Sequence, residues 1–124
     1  MDIVLLFPGQ GSQKPGMGRD LVEAFPAARS VFERADAALN APLSRLCFDG
    51  SNEELTLTQN AQPALLTHGA AVWASTRDVI GASVVAAAGH SLGEFAAYYA
   101  AESLELDAAV RIVRRRGEGE RKTS

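Results

Sequence analysis

The residues best suited to chemistry lie in Gly89-His90-Ser91-Leu92-Gly93, a G-x-S-x-G pattern. Such a pattern works when a strand leads in, a tight turn lifts the serine and a helix follows. The glycines two before and two after Ser91 remove side chains that would collide at the turn. Ser91 then stands at a helix N-terminus, where N–H groups and the positive dipole end favour an oxyanion. A serine hydroxyl is a poor nucleophile until a base takes its proton. The chain has two histidines. His90 adjoins Ser91, so its side chain points off the turn in another direction. His68 falls mid-helix and reads as a half-buried packing residue. The histidines therefore leave Ser91 without a convincing base.

Elements must position this turn. Ile3 to Phe7 is a short branched apolar run that stops at Pro8-Gly9, the mark of a buried strand ending in a loop. The loop Gly9-Gln10-Gly11-Ser12-Gln13 is rich in glycine and amides. Residues 20–40 have helical spacing, broken at Pro26, with Val31, Phe32, Ala35 and Leu39 on one face. Residues 42–52 read as irregular or shortly helical. Ala61 to Thr76 is a strong helix with Pro63 near its start. Ser83 to Ala88 reads as a second buried strand running straight into the serine turn, and Phe95 to Ala101 as the helix after it. A last helix spans Asp107 to Arg116, with acid first and arginines last, which complements the helix dipole. The order of elements fits a parallel α/β layer with loops at the carboxyl ends of the strands.

The chain has 124 residues, 47% hydrophobic and 22% charged, which excludes a disordered, collagen-like or coiled-coil chain. One cysteine, Cys47, excludes an intrachain disulfide and a cysteine-based metal cluster, and it reads as a packing residue. No metal site is expected. No apolar run reaches the roughly 18 residues that span a membrane, and no signal peptide is recognisable, so the expected location is the cytoplasm. The net charge of −3 is uneven: residues 1–110 carry 6 basic and 13 acidic side chains, and six basic residues lie from Arg111 onward. Such a basic end suits either an anionic partner or solvated charges at a helix end.

Three stretches together resemble the malonyl-CoA:acyl carrier protein transacylases and the related acyltransferase domains of fatty-acid and polyketide synthases. They are Phe7-Pro8-Gly9-Gln10-Gly11-Ser12-Gln13, Gln62-Pro63-Ala64-Leu65 and Gly89-His90-Ser91-Leu92-Gly93-Glu94, followed by Arg116-Gly117. The resemblance implies ping-pong transfer of a malonyl group from malonyl-CoA to the phosphopantetheine thiol of acyl carrier protein, with Ser91 as nucleophile. It implies an oxyanion hole from the backbone N–H groups of Gln10 and Leu92. It implies Arg116 as the clamp on the malonyl carboxylate, a role that suits a planar guanidinium. His90, Gln62 and Glu94 would shape the substrate pocket and the elbow. No cofactor is implied, because the phosphopantetheine travels on the partner. With Arg116 as a clamp, the basic end is not a nucleic-acid patch. Leu92 resembles the residue of malonyl-selective members, and Met1 directly before the first strand suits a free-standing enzyme.

The resemblance also implies a fold: residues 1–117 as the N-terminal part of an α/β-hydrolase-like large subdomain with a nucleophile elbow. Family members run to about twice this length or more. The ferredoxin-like subdomain and the histidine base of the family are not found in this chain. Residues 118–124 carry no apolar side chain and read as a disordered polar tail. Two strands do not close a core, so exposed apolar surface, with poor solubility, aggregation or need of a partner, is expected. Two other functions stay open: a truncated, inactive chain that binds acyl-CoA or carrier protein, and a serine hydrolase. The hydrolase needs neither the Phe7–Gln13 loop nor Arg116.

Overall fold

The computed structural model describes the backbone of residues 1–123 and the side chains of residues 1–119. The chain runs β1 (Ile3–Phe7), α1 (Arg19–Ala24), α2 (Pro26–Leu39), α3 (Leu43–Asp49), α4 (Asn52–Thr56) and α5 (Thr58–Ile80). It continues through a short 3₁₀ turn (Gly81–Ser83) to β2 (Val84–Gly89), α6 (Gly93–Ala100) and α7 (Leu106–Thr123). The result is a mixed α/β structure with a small parallel sheet and mostly helices.

β1 and β2 pair in parallel, with Val4 opposite Ala86, Leu6 opposite Ala88 and Phe7 opposite Gly89. The two strands therefore end together, and the loops after them emerge side by side. On one face, Ile3, Leu5 and Phe7 are half-buried, and Phe7 packs on the core. On the other, Val4 is 55% and Leu6 78% exposed, and Ala86 and Ala88 are exposed beside them. Parallel sheets are normally covered on both faces. The exposed apolar surface expected from the sequence lies here.

The core is built chiefly between helices. α2 contributes Ala28, Val31, Phe32 and Ala35; α5 contributes Ala64, Leu66, Ala70 and Ala71; α7 contributes Leu106, Ala109, Val110 and Val113. Cys47 is fully buried in the same cluster, and burial, then the Asp36 carboxylate, pushes its thiol up to about 12. Residues 42–52, which read as irregular or shortly helical, hold the short helix α3, and α4 begins at their end. A capping box starts α4: Ser51 Oγ accepts from the Glu54 N–H at 3.1 Å, and the Ser51 N–H donates back to Glu54 Oε1 at 3.2 Å.

Two helices exceed their predicted lengths. α5 begins at Thr58 rather than Ala61, because Leu57 O already accepts the N–H groups of Asn60 and Ala61. α7 continues past Arg116 to Thr123, where the sequence predicted a tail without structure over 118–124; Ser124 lies outside the described residues. Neither glycine stops the helix, since Gly117 is buried against α5, and Arg114 pairs with Glu118 one turn on at 3.5 Å.

Candidate active site

The turn after β2 has the geometry its glycines demand. Ser91 takes φ 54°, a left-handed conformation rare for a side-chain-bearing residue. A Cβ on Gly89 would lie 2.0 Å from the Gly93 carbonyl carbon, and one on Gly93 would lie 2.3 Å from Phe7 O. Both glycines are thus required by backbone contact. The turn is tied to β1 by the His90 N–H, which donates to Phe7 O at 3.2 Å. The Gly93, Glu94 and Phe95 N–H groups fold back on His90, Ser91 and Leu92 carbonyls at 3.0 Å each. Ser91 is exposed at the mouth of this turn, while Leu92 is buried beneath it.

The structure brings Arg116 to Ser91: its Nη2 donates to Ser91 Oγ at 2.7 Å, although 25 residues separate them. The guanidinium carbon lies 5.7 Å from the centroid of the Phe95 ring, within cation–π range. Ser91 precedes α6 and Phe95 lies in its first turn, and the Arg116 guanidinium meets both.

Arg116 arrives there because α7 lies hard against the start of α5. A Cβ on Gly117 would lie 2.7 Å from both Thr58 O and Gln59 Cα. Arg114, which the sequence left as a solvated helix-end charge, is partly buried in this contact. Its Nη1 donates to Gln59 O at 2.7 Å and to Asn60 Oδ1 at 2.6 Å. Sequence reading missed Arg114's contact with α5, since Gln59 and Asn60 lie more than fifty positions away. Arg115 is exposed, as expected.

Gln10 sits on the exposed loop after β1 and donates through Nε2 to Thr58 Oγ1 at 3.3 Å. The first turn of α5 thus contacts both the Gln10 loop and the arginine-bearing helix. His90 lies against that loop, because a Cβ on Gly9 would meet His90 O at 2.7 Å and Nδ1 at 2.9 Å. His68 is half-buried on α5, beside a cavity of about 600 Å³ lined with Lys14, Asp20 and Leu65. Burial lowers its pKa, with Asp20 opposing and Lys14 adding to the fall. Among the described residues, neither histidine is hydrogen-bonded to Ser91. Gln62 is 1% exposed within α5. No group of three or more metal-ligating side chains occurs among the described residues, and no helix among them is long and apolar enough to cross a membrane.

The model of the acyl transferase domain matches residues 4–123. The chain belongs to the acyl transferase family. It is 53% identical over 116 residues to the malonyl CoA-acyl carrier protein transacylase of Bacillus subtilis strain 168, covering 94% of this chain and 36% of that protein. To the Escherichia coli K12 enzyme of the same name it is 41% identical over 112 residues, covering 90% and 36%. Among solved structures, an acyl-carrier-protein S-malonyltransferase from Bartonella henselae superposes with a TM-score of 0.90 at 45% identity, covering 95% of this chain and 38% of that one. A malonyl-transacylase in complex with its type II PKS acyl-carrier protein superposes with a TM-score of 0.89 at 39% identity, over 95% and 38%. The chain thus spans little more than a third of the length of the relatives it matches.

Proposed function

We propose that the site transfers a malonyl group from malonyl-CoA to the phosphopantetheine thiol of acyl carrier protein, through a malonyl ester on Ser91, in fatty-acid synthesis. The observation that carries this reading is the Arg116–Ser91 contact of 2.7 Å on a G-x-S-x-G elbow. A hydrolase serine needs no fixed cation at its hydroxyl. A nucleophile that accepts an acyl group ending in a carboxylate does, and a guanidinium can hold that carboxylate through two parallel hydrogen bonds.

In the reaction, Ser91 Oγ attacks the thioester carbonyl as its proton leaves to a base, and the carbonyl oxygen becomes an oxyanion. The backbone N–H groups of Gln10, on the loop after β1, and of Leu92, the residue before α6, receive that charge; at a helix start such groups lack intrahelical acceptors. Collapse expels the CoA thiolate, which takes up a proton, and leaves the ester. The thiol of the carrier protein then attacks the ester, and Ser91 recovers its proton. Arg116 exchanges its serine contact for the malonyl carboxylate, while His90 and Gln62 border the pocket. In this reading residues 1–117 form the N-terminal part of an α/β-hydrolase-like large subdomain, and the ferredoxin-like subdomain is not among them.

A second reading is favoured by the histidines, neither of which is placed on Ser91. In it, this stretch alone binds malonyl-CoA without turning it over. One experiment separates the two: incubate the folded chain with malonyl-CoA and measure its intact mass. Transfer chemistry gives a malonyl adduct that Ser91→Ala abolishes and His68→Ala keeps. A folded sample that binds malonyl-CoA yet gains no mass supports the second reading. An adduct that water clears as fast as pantetheine does would point to a hydrolase.

A further inference from the structure

Pro63 stands inside α5. A proline has no N–H, so the carbonyl four residues earlier loses its intrahelical donor. That carbonyl is Gln59 O, the group on which Arg114 Nη1 closes at 2.7 Å. The same Nη1 reaches Asn60 Oδ1 at 2.6 Å, and Nε lies 3.5 Å from Glu118 Oε1. The guanidinium is therefore fixed from two helices at once.

At 3.6 residues per turn, side chains two positions apart point about 200° away from each other. Arg114 and Arg116 consequently leave α7 on nearly opposite sides. One grips the start of α5 and the other reaches the Ser91 turn, and the buried Gly117 lets the two helices close.

We propose that Arg114 is a positioning residue for malonyl selectivity: its bond to the carbonyl vacated by Pro63 sets the rotation and register of α7 and so holds Arg116 at Ser91. On this account Pro63 acts through the N–H it lacks. An N–H restored at position 63 competes with Arg114 for Gln59 O and loosens the clamp. The inference rests on the reading of Arg116 as the malonyl carboxylate clamp.

Calorimetry on the 124-residue chain tests it with malonyl-CoA and acetyl-CoA as probes, because binding needs no proton transfer. The readout is the ratio of the two affinities. Arg116→Ala should abolish the preference for malonyl-CoA. Arg114→Met, which keeps the apolar stem and removes the donors, should lower it on the order of tenfold, with acetyl-CoA affinity held. Arg114→Lys should retain part of it through one donor. Pro63→Ala should lower it too, and the Pro63→Ala/Arg114→Met double variant should be no worse than the poorer single variant, since both act on one carbonyl.

An unchanged ratio in Arg114→Met beside a lost one in Arg116→Ala overturns the proposal and leaves the clamp standing. Additive losses in the double variant also overturn it. An unchanged ratio in Arg116→Ala removes the clamp itself, and with it any group for Arg114 to position. Should Arg114→Met fail to fold, Arg114→Lys and Pro63→Ala carry the same comparison.

Discussion

Two glycines of α7 separated by one residue should respond to alanine with opposite sign. In an exposed helix, alanine is favoured over glycine by about 0.5–1 kcal/mol, through the unfolded chain's lost freedom. At Gly119 no atom of the other described residues lies within 4 Å of the new Cβ, so Gly119→Ala should be stabilising by about that amount. At Gly117 the Cβ meets Thr58 O and Gln59 Cα at 2.7 Å, where ordinary contact begins at 3.4 Å. Both atoms are backbone, so neither can swing aside, and α7 must retreat by about 0.7 Å. Overpacking of this kind costs about 1–3 kcal/mol, which exceeds the propensity gain. Gly117→Ala should therefore lower Tm by several degrees while Gly119→Ala raises it. The retreat also carries the neighbouring Arg116 away from Ser91 Oγ, and misplacement approaching 1 Å can cost about a hundredfold in reactivity. The assay pairs thermal unfolding by circular dichroism with malonyl labelling of Ser91, or with malonyl-CoA affinity where no label forms. A Gly117→Ala chain with unchanged Tm and unchanged malonyl readout would refute the close-packing argument. Equal gains at both positions would do the same.

Other perturbations test other parts of the molecule. Cys47, fully buried with its thiol pushed up to about 12, should resist iodoacetamide at pH 8 and react once urea unfolds the chain; native labelling at the unfolded rate would contradict its burial. His68 has a lowered pKa, so the unfolded chain binds more protons near and below the ordinary value of about 6.5. Stability should accordingly fall as pH drops through that value and level off below the folded pKa; His68→Gln should flatten the dependence in urea melts at stepped pH. Leu6, 78% exposed on the bare sheet face, should drive concentration-dependent association. Leu6→Lys should reduce it in sedimentation velocity with little change in Tm.

Much of this structure is legible from residue order. β1 and β2 are continuous apolar runs, and the serine turn between β2 and α6 announces itself by glycines at fixed offsets. Pro26 marks the α1–α2 break because it suits a first helical turn. What stays hidden depends on atoms distant in sequence. Arg114 looks like a solvated charge until Pro63, on another helix, is seen to vacate the carbonyl it binds. Gly117 looks like a helix stop, yet it is a contact point on Thr58. Phe95 reads as helix filler, and only the fold sets its ring beside Arg116. Gln10 is recognisable through its loop, but not its bond to Thr58, 48 positions away.

The left-handed backbone at Ser91 has a consequence for how this chain tolerates change. An L-residue held there stores about 1–2 kcal/mol, which a glycine would release. Glycine returns about 0.5–1 kcal/mol of that as extra unfolded-state freedom and gives up the bond to Arg116. The two sides nearly cancel, so Ser91→Gly should fold about as well as the parent while having no nucleophile. On this balance the fold does not require serine at this position. Gain of thermal robustness without loss of reactivity must be sought away from the turn.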